Sequence, residues 1–256
     1  MNTFSKDDLI NKLEIIRNKG WIPNSRSGNT GGVGNTLEDL LGIDENNLPI
    51  PNATEWELKC QRKKTSSLIT LFHIEPSPRA LKFVPKIFLP LYGWEHKKIP
   101  NELSFRQTIN GLNNTDRGFG VRIDRSNKKI LISFSADKVY AKHNDWLINV
   151  EKKIGLKELN PQPYWGFNDL KNKAGTKLIN CFYIKADVKR ENKLEFFHYN
   201  EVMILQKFSF RNFLKAIEKG YLLIDFDART GHNHGTKFRL RQDRLPDLYS
   251  KVTSIW

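Results

Sequence analysis

The chain is poor in cysteine, with only Cys60 and Cys181 in 256 residues. Two thiols cannot build a disulfide framework and these lack the paired spacing of a zinc site, so both are expected to be reduced residues on buried strand faces. Long apolar runs are missing as well: nothing reaches the roughly 18 consecutive residues that a membrane helix needs. Met1 to Gly20 is a charged amphipathic stretch rather than a signal peptide. These absences make the cytoplasm the expected location. No internal repeat or low-complexity tract occurs, so nothing points to a repeat architecture. Negative charge is scarce, since 28 Asp+Glu face 42 Lys+Arg for a formal net charge of +14.

What is present fits a packed chain long enough for one large domain or two lobes. Its hydrophobic fraction is 39% and its aromatic fraction 11%, spread along the sequence. The basic excess points to a polyanionic partner, with a merely solvated basic surface as the plain alternative. The positive residues are scattered through strands and turns rather than gathered in a tail or a basic amphipathic helix. That distribution favours a groove tracking phosphates over a membrane surface.

Ser5 with Asp8 opens a helix that carries Leu9, Leu13 and Ile16 at helical spacing and stops at Gly20. The stretch 24–35 contains Gly28, Gly31, Gly32 and Gly34 and reads as a loop. A phosphate-cradling reading of that loop fails, because no P-loop lysine follows it. A second helix is expected over Thr36 to Leu41, closed by Gly42. Glu55 to Cys60 alternates as a strand, with Trp56, Leu58 and Cys60 on one face and Glu55, Glu57 and Lys59 on the other. Further strands are expected at 68–73, 119–124 and 130–134, and Trp146, Val150 and Ile154 mark a helix. The Pro/Gly/Asn-rich interval 155–175 is the best lobe boundary. Beyond it come strands at 178–184 and 194–199, and a helix at 210–219 capped by Ser209 and ended by Gly220. Strands at 221–226 and 237–241 are then expected to flank a long turn over 227–235.

The charged face of the strand at 55–60 is costly to bury unless a metal or an ionic partner satisfies it. Hydrolysing a phosphodiester requires a cation held by carboxylates, an attacking water, and positive charge near the developing anion. Glu57 suits the first need, through Mg²⁺ held by oxygen ligands, and Lys59, on the same side two residues on, suits the others. Glu-x-Lys alone also occurs by chance in charged strands. Likewise Glu38, at the start of a helix, could be an ordinary first-turn carboxylate, as Asp39 is expected to be.

The wider order of motifs favours the functional reading. Gly34-Asn35-Thr36-Leu37-Glu38-Asp39-Leu40-Leu41-Gly42-Ile43, then Leu48-Pro49-Ile50-Pro51-Asn52, then Glu57-Leu58-Lys59, resembles the MvaI/BcnI-type restriction endonucleases and their relative, the MutH mismatch-repair nickase. The resemblance runs on through 66–81, 102–124 and 227–239. It implies a mixed α/β fold: a restriction-endonuclease-like PD-(D/E)xK, MutH-like catalytic core, with a second, DNA-recognition lobe completing a cleft. The lobes are expected at 1–155 and 156–256, with the option of exchanged segments. Glu38, Asn52, Glu57 and Lys59 match the family's catalytic positions, and Glu38, Asn52 and Glu57 its metal ligands. Asn52 departs from the pattern, because the family has aspartate there and an amide is a poorer Mg²⁺ ligand. An inactivating substitution, a natural variant, or a rearranged site using Glu55 would each account for it.

For reading DNA, Arg pairs with guanine and carboxylates accept from cytosine at base edges. The segment 225–241 is dense in both types. The resemblance carries Asp227, Arg229 and Arg239 over as base contacts, with His232, His234, Lys237 and Arg241 extending the surface and His73 as a minor-groove or central-base contact. The two close histidines lack a third ligand for a metal site. Arg62, Lys63, Lys64, Arg79 and Lys82 are candidate phosphate contacts. The resemblance further implies a monomer that cuts one strand at a time at a short CC..GG-type pseudopalindrome. The products would carry 5′-phosphate and 3′-hydroxyl ends, and a cognate methyltransferase would protect host DNA. A non-catalytic DNA-binding protein and a repair nickase are the rivals.

Overall fold

In the computed structural model the described residues are 4–26, 31–43 and 56–256. Asn52 and Glu55 lie outside them. The first part of the chain carries α1 (Lys6–Asn18), β1 (Ile22–Pro23), α2 (Gly32–Leu41), β2 (Glu57–Arg62), β3 (Leu68–His73), α3 (Leu89–Tyr92), β4 (Trp94–Glu95) and β5 (Leu103–Ile109). Next come β6 (Arg117–Asp124), β7 (Lys129–Val139), α4 (Asn144–Ile154), β8 (Tyr164–Gly166), α5 (Phe167–Lys177) and β9 (Asn180–Glu191). The chain continues with β10 (Leu194–Phe208), α6 (Phe210–Glu218), β11 (Leu222–Arg229), β12 (His232–Arg241) and β13 (Tyr249–Ser254). The fold is mixed α/β and rich in sheet, and no described helix is long and apolar enough to cross a membrane.

Two compact units share the chain. One draws on 1–69, 174–209 and 242–256, the other on 70–173 and 210–241. The interval 155–175 holds β8 and most of α5, where the composition suggests a linker. Leu170 and Ala174, four apart and fully buried, give α5 the apolar face that its polar composition hides.

The first unit is built on a sheet of order β1-β10-β9-β2, with β13 also pairing β10. β9 and β10 form a long antiparallel hairpin, turned by Asn192 and Lys193 at φ 49° and 66°. β2 pairs β9 in parallel, Glu57 opposite Cys181 and Lys59 opposite Tyr183. Parallel neighbours need a crossover, and the second unit's segment 70–173 is inserted into that connection. One face of the sheet is closed by α1 and α2: Leu9, Leu13, Ile16, Val33, Leu37 and Leu41 pack with Trp56, Leu58, Phe182 and Ile184. α1 starts as expected, with Ser5 and Asp8 forming a reciprocal capping box. α2 starts earlier than its glycines suggest, because Val33 is buried in this core and its carbonyl accepts from the Tyr199 hydroxyl at 2.9 Å. A Cβ at Gly32 would meet Asn24 Nδ2 at 2.7 Å, so glycine here permits a close approach rather than marking a loop.

The second unit contains a sheet of order β3-β12-β11-β5-β4 and another of order β6-β7-β8. Phe88, Phe105, Phe119 and Phe226 form its aromatic centre, with Phe88 stacked on Phe105 at 4.8 Å and edge-on to Phe226 at 5.3 Å. The long turn expected over 227–235 is instead strand on both sides of Thr230 and Gly231. The alternation expected to end at Phe226 continues, since Leu222, Ile224, Phe226 and Ala228 are all buried while Asp225, Asp227 and Arg229 point away. Gly231, at φ +74°, supplies the left-handed residue of the shortened turn.

Candidate functional site

On β2 the strand period sends Leu58 into the helical core and Glu57 and Lys59 to the opposite face. Both polar side chains are nearly shut off from solvent, 5% exposed for Glu57 and 15% for Lys59. Lys59 Nζ donates to Glu57 Oε1 at 2.6 Å. The other oxygen, Oε2, is buried with no hydrogen-bond partner among the described residues, and Lys177 Nζ stands 3.8 Å from it. Lys177 is the last residue of α5, where the helix dipole favours a cation, and its side chain is 18% exposed. Behind the pair, burial pushes the Cys181 thiol up to about 12, with Lys59 opposing and Glu57 adding to the shift. Burial, then Cys181 and Glu57, raise the Tyr249 hydroxyl well above its ordinary value. The site is therefore one buried carboxylate between two ammonium groups, backed by groups that stay protonated.

Glu38 sits half-buried on α2, and its charge is felt at Cys60 of β2, whose thiol is raised chiefly by burial and next by Glu38. Among the described residues no three of His, Cys, Asp and Glu gather as a metal-binding group. The described side chains thus offer an open donor in Glu57 Oε2. A hard carboxylate oxygen with no hydrogen bond among the described residues suits Mg²⁺, so the residues present fit that ion as a partial ligand set. Asn52, the other position on this stretch, falls outside the described residues.

The second unit carries a polar ladder on β5, β11 and β12. Asp227 Oδ1 pairs with Arg106 Nε at 2.9 Å and Oδ2 with Lys237 Nζ at 3.2 Å. Asp225 accepts from Thr108 at 2.8 Å and from Arg239 at 3.2 Å. Arg229 donates to Glu102 at 2.7 Å. Burial pushes the Asp227 carboxyl up, but Lys237, Arg106 and His234 outweigh it and hold it below the usual carboxylate range. His232 and His234 are exposed, with ring centres 6.5 Å apart. His73 is exposed at the end of β3, and a Cβ on Gly235 of β12 would lie 3.6 Å from its ring. Arg241 is exposed, its backbone N–H donating to Tyr221.

The MvaI/BcnI restriction endonuclease family matches this chain over residues 10–249. The chain belongs to that family. Membership places it among site-specific DNA endonucleases by descent. Its structure is similar to the restriction endonuclease MvaI in complex with its cognate DNA substrate, with TM-score 0.79 and 24% identity over 99% of this chain and 100% of that one. It is also similar to MvaI in the absence of DNA, with TM-score 0.54 and 25% identity over 96% and 100% of the two chains. No curated protein matches it.

Within this MvaI/BcnI family chain, the structure joins two of the sequence candidates directly, Glu57 with Lys59, and a second pair, Asp227 with Lys237. It ties Arg229 and Arg239 to Glu102 and Asp225, which sequence reasoning does not single out as site residues. Lys177, Arg106 and Glu102 are all missed by it. Lys177 closes a helix that begins within the interval read as a linker, and Arg106 on β5 and Glu102 just before it lie about 120 residues before their partners on β11. The +14 charge hints at the two cations without pointing to positions, and the resemblance over 102–124 spans Glu102 and Arg106 without marking either.

Proposed function

We propose that this chain is a Mg²⁺-dependent type II restriction endonuclease that hydrolyses double-stranded DNA at a short CC..GG-type pseudopalindrome. It acts as a cytoplasmic monomer on one strand at a time, and a cognate methyltransferase protects host DNA. The observation that carries the reading is the buried Glu57–Lys59 pair, with one carboxylate oxygen left open, on the β2 strand of a chain belonging to this family. The metal, when bound, supplies Lewis-acid stabilisation of the phosphate and a more acidic water. Glu57 would hold it through Oε2, with Glu38 and the amide oxygen of Asn52 as further ligands. Lys59, fixed by Oε1, would orient the attacking water and offset charge on the phosphoryl oxygens. Water oxygen bonds to phosphorus as the bond to the 3′ oxygen breaks, leaving a 5′-phosphate and a 3′-hydroxyl.

The PD-(D/E)xK core in this reading is the β2 region, and base reading falls to the ladder on β11 and β12. Asp227, Arg229 and Arg239 supply a cytosine acceptor and guanine donors, each good pair discriminating by about 1 to 3 kcal/mol. His232, His234, Lys237 and Arg241 extend that surface and His73 contacts the minor groove or the central base. Each ladder carboxylate is already bonded to a cation, so binding DNA exchanges partners rather than desolvating bare charges.

Asn52 favours a second reading, a DNA-binding chain that no longer cleaves. One experiment separates the readings: incubate the chain and its Asn52→Asp variant with phage DNA and Mg²⁺, then sequence the ends. Discrete ends with both strands cut support the restriction enzyme, nicks alone support a MutH-like nickase, and uncut DNA with both forms supports binding only. The variant is expected to cut much faster, and equal rates would remove position 52 from the site.

A further inference from the structure

Glu57 is held by more positive charge than the Glu-x-Lys motif provides. Oε1 carries the Lys59 hydrogen bond at 2.6 Å, while Lys177 Nζ faces Oε2 at 3.8 Å, too far for a hydrogen bond but within strong Coulomb range. The three side chains are 5%, 15% and 18% exposed, so water screens them little. Lys177 is anchored from another element, the C-terminal end of α5, and approaches the oxygen of Glu57 that makes no hydrogen bond among the described residues. That oxygen is also the one a cation would take. An ammonium group and a divalent cation cannot share it without strong like-charge repulsion.

We propose that Lys177 is a positioning residue of the nuclease site: it occupies the Oε2 side of Glu57 in the metal-free protein and sets how tightly a divalent cation binds there. The inference rests on the reading of Glu57 as a metal ligand. Lys177 acts through Glu57, facing Oε2 from the end of α5 and holding the carboxylate aimed while no metal is present. A cation must displace the ammonium, so affinity is held down in the free protein.

The test is a Mn²⁺ titration of the full, DNA-free chain, followed by the paramagnetic resonance of the free ion, on the wild type, Lys177→Met, Lys177→Arg and Glu57→Gln. Lys177→Met is expected to tighten Mn²⁺ binding about tenfold, as expected for removing a like charge a few ångströms away, and Lys177→Arg to stay near wild type. The Mg²⁺ concentration that half-saturates cleavage should fall in parallel for Lys177→Met. An affinity within about twofold of wild type for Lys177→Met, while Glu57→Gln abolishes binding, overturns the role of Lys177 and leaves that of Glu57 standing. Mn²⁺ binding untouched by Glu57→Gln overturns both. Equal tightening by Lys177→Arg and Lys177→Met overturns the charge argument, because arginine keeps the cation.

Discussion

Replacing Glu57 by glutamine removes the negative charge from between two buried ammonium groups. At 2.6 Å and an effective dielectric of about 20, the Glu57–Lys59 attraction is roughly 6 kcal/mol before desolvation is counted. Removing one partner of a buried pair typically costs about 3 to 5 kcal/mol, since the other charge is left uncompensated. Glutamine can still accept from Lys59 through its amide oxygen, which favours the lower end, about 3 kcal/mol. For a chain of this size that corresponds to a drop of roughly 6 to 12 °C in Tm. The same reasoning gives an asymmetric result for the neighbour. Lys177→Met keeps the 2.6 Å pair and gives up the weaker attraction at 3.8 Å, roughly 4 kcal/mol at the same dielectric before desolvation and the repulsion between the two ammonium groups offset it, so it should cost clearly less than Glu57→Gln. Both variants would be compared by urea unfolding and thermal scans in EDTA, where no divalent cation contributes. The electrostatic account fails if Glu57→Gln is as stable as wild type, or if Lys177→Met costs as much as Glu57→Gln.

Other consequences can be tested alongside. Arg229→Ala should relax base discrimination at one position of the target by about 1 to 3 kcal/mol and leave Glu102 uncompensated; binding to a panel of single-base site variants measures this, and uniform weakening across the panel would speak against base reading. Asp227 titrates below its ordinary value, so its contribution to stability is complete above the unfolded carboxyl value of about 3.9 and is lost as pH falls through the lower folded value. Carboxyl-carbon NMR should therefore place its midpoint below 3.9, and a midpoint above that would contradict the ladder. Cys181, raised to about 12 by burial, should resist thiol reagents at pH 8 and react once the chain is unfolded in guanidinium. Leu37→Ala, in the core beneath β2, is expected to cost about 2 to 5 kcal/mol, measured by urea unfolding, and a smaller loss would mean that α2 is not held against the sheet.

Patterns that repeat over a few residues are legible in the amino-acid order alone. The capping box at Ser5 and Asp8, the apolar face of α1, and the alternation through Trp56, Leu58 and Lys59 are local, and the fold keeps them. The same alternation rule stops too early at Phe226, because Asp227, Asn233 and Gly235 are turn formers taken one by one; the pairing of β11 with β5 and β12 decides that they are strand. The glycines of α2 mislead in the same way, since what draws that segment into a helix is burial of Val33 and a hydrogen bond from Tyr199, far along the chain.

By itself the sequence determined that Glu57 and Lys59 share one side of β2, because residues two apart on a strand must share a face. It also determined the family, through motifs that recur in order. Only the tertiary structure decided that Glu57 is sealed from water, that Lys177 meets it from another element, and that Arg106 and Glu102 engage Asp227 and Arg229. Those facts depend on which distant segments pair, and pairing is settled by the burial of whole faces rather than by neighbours in the chain.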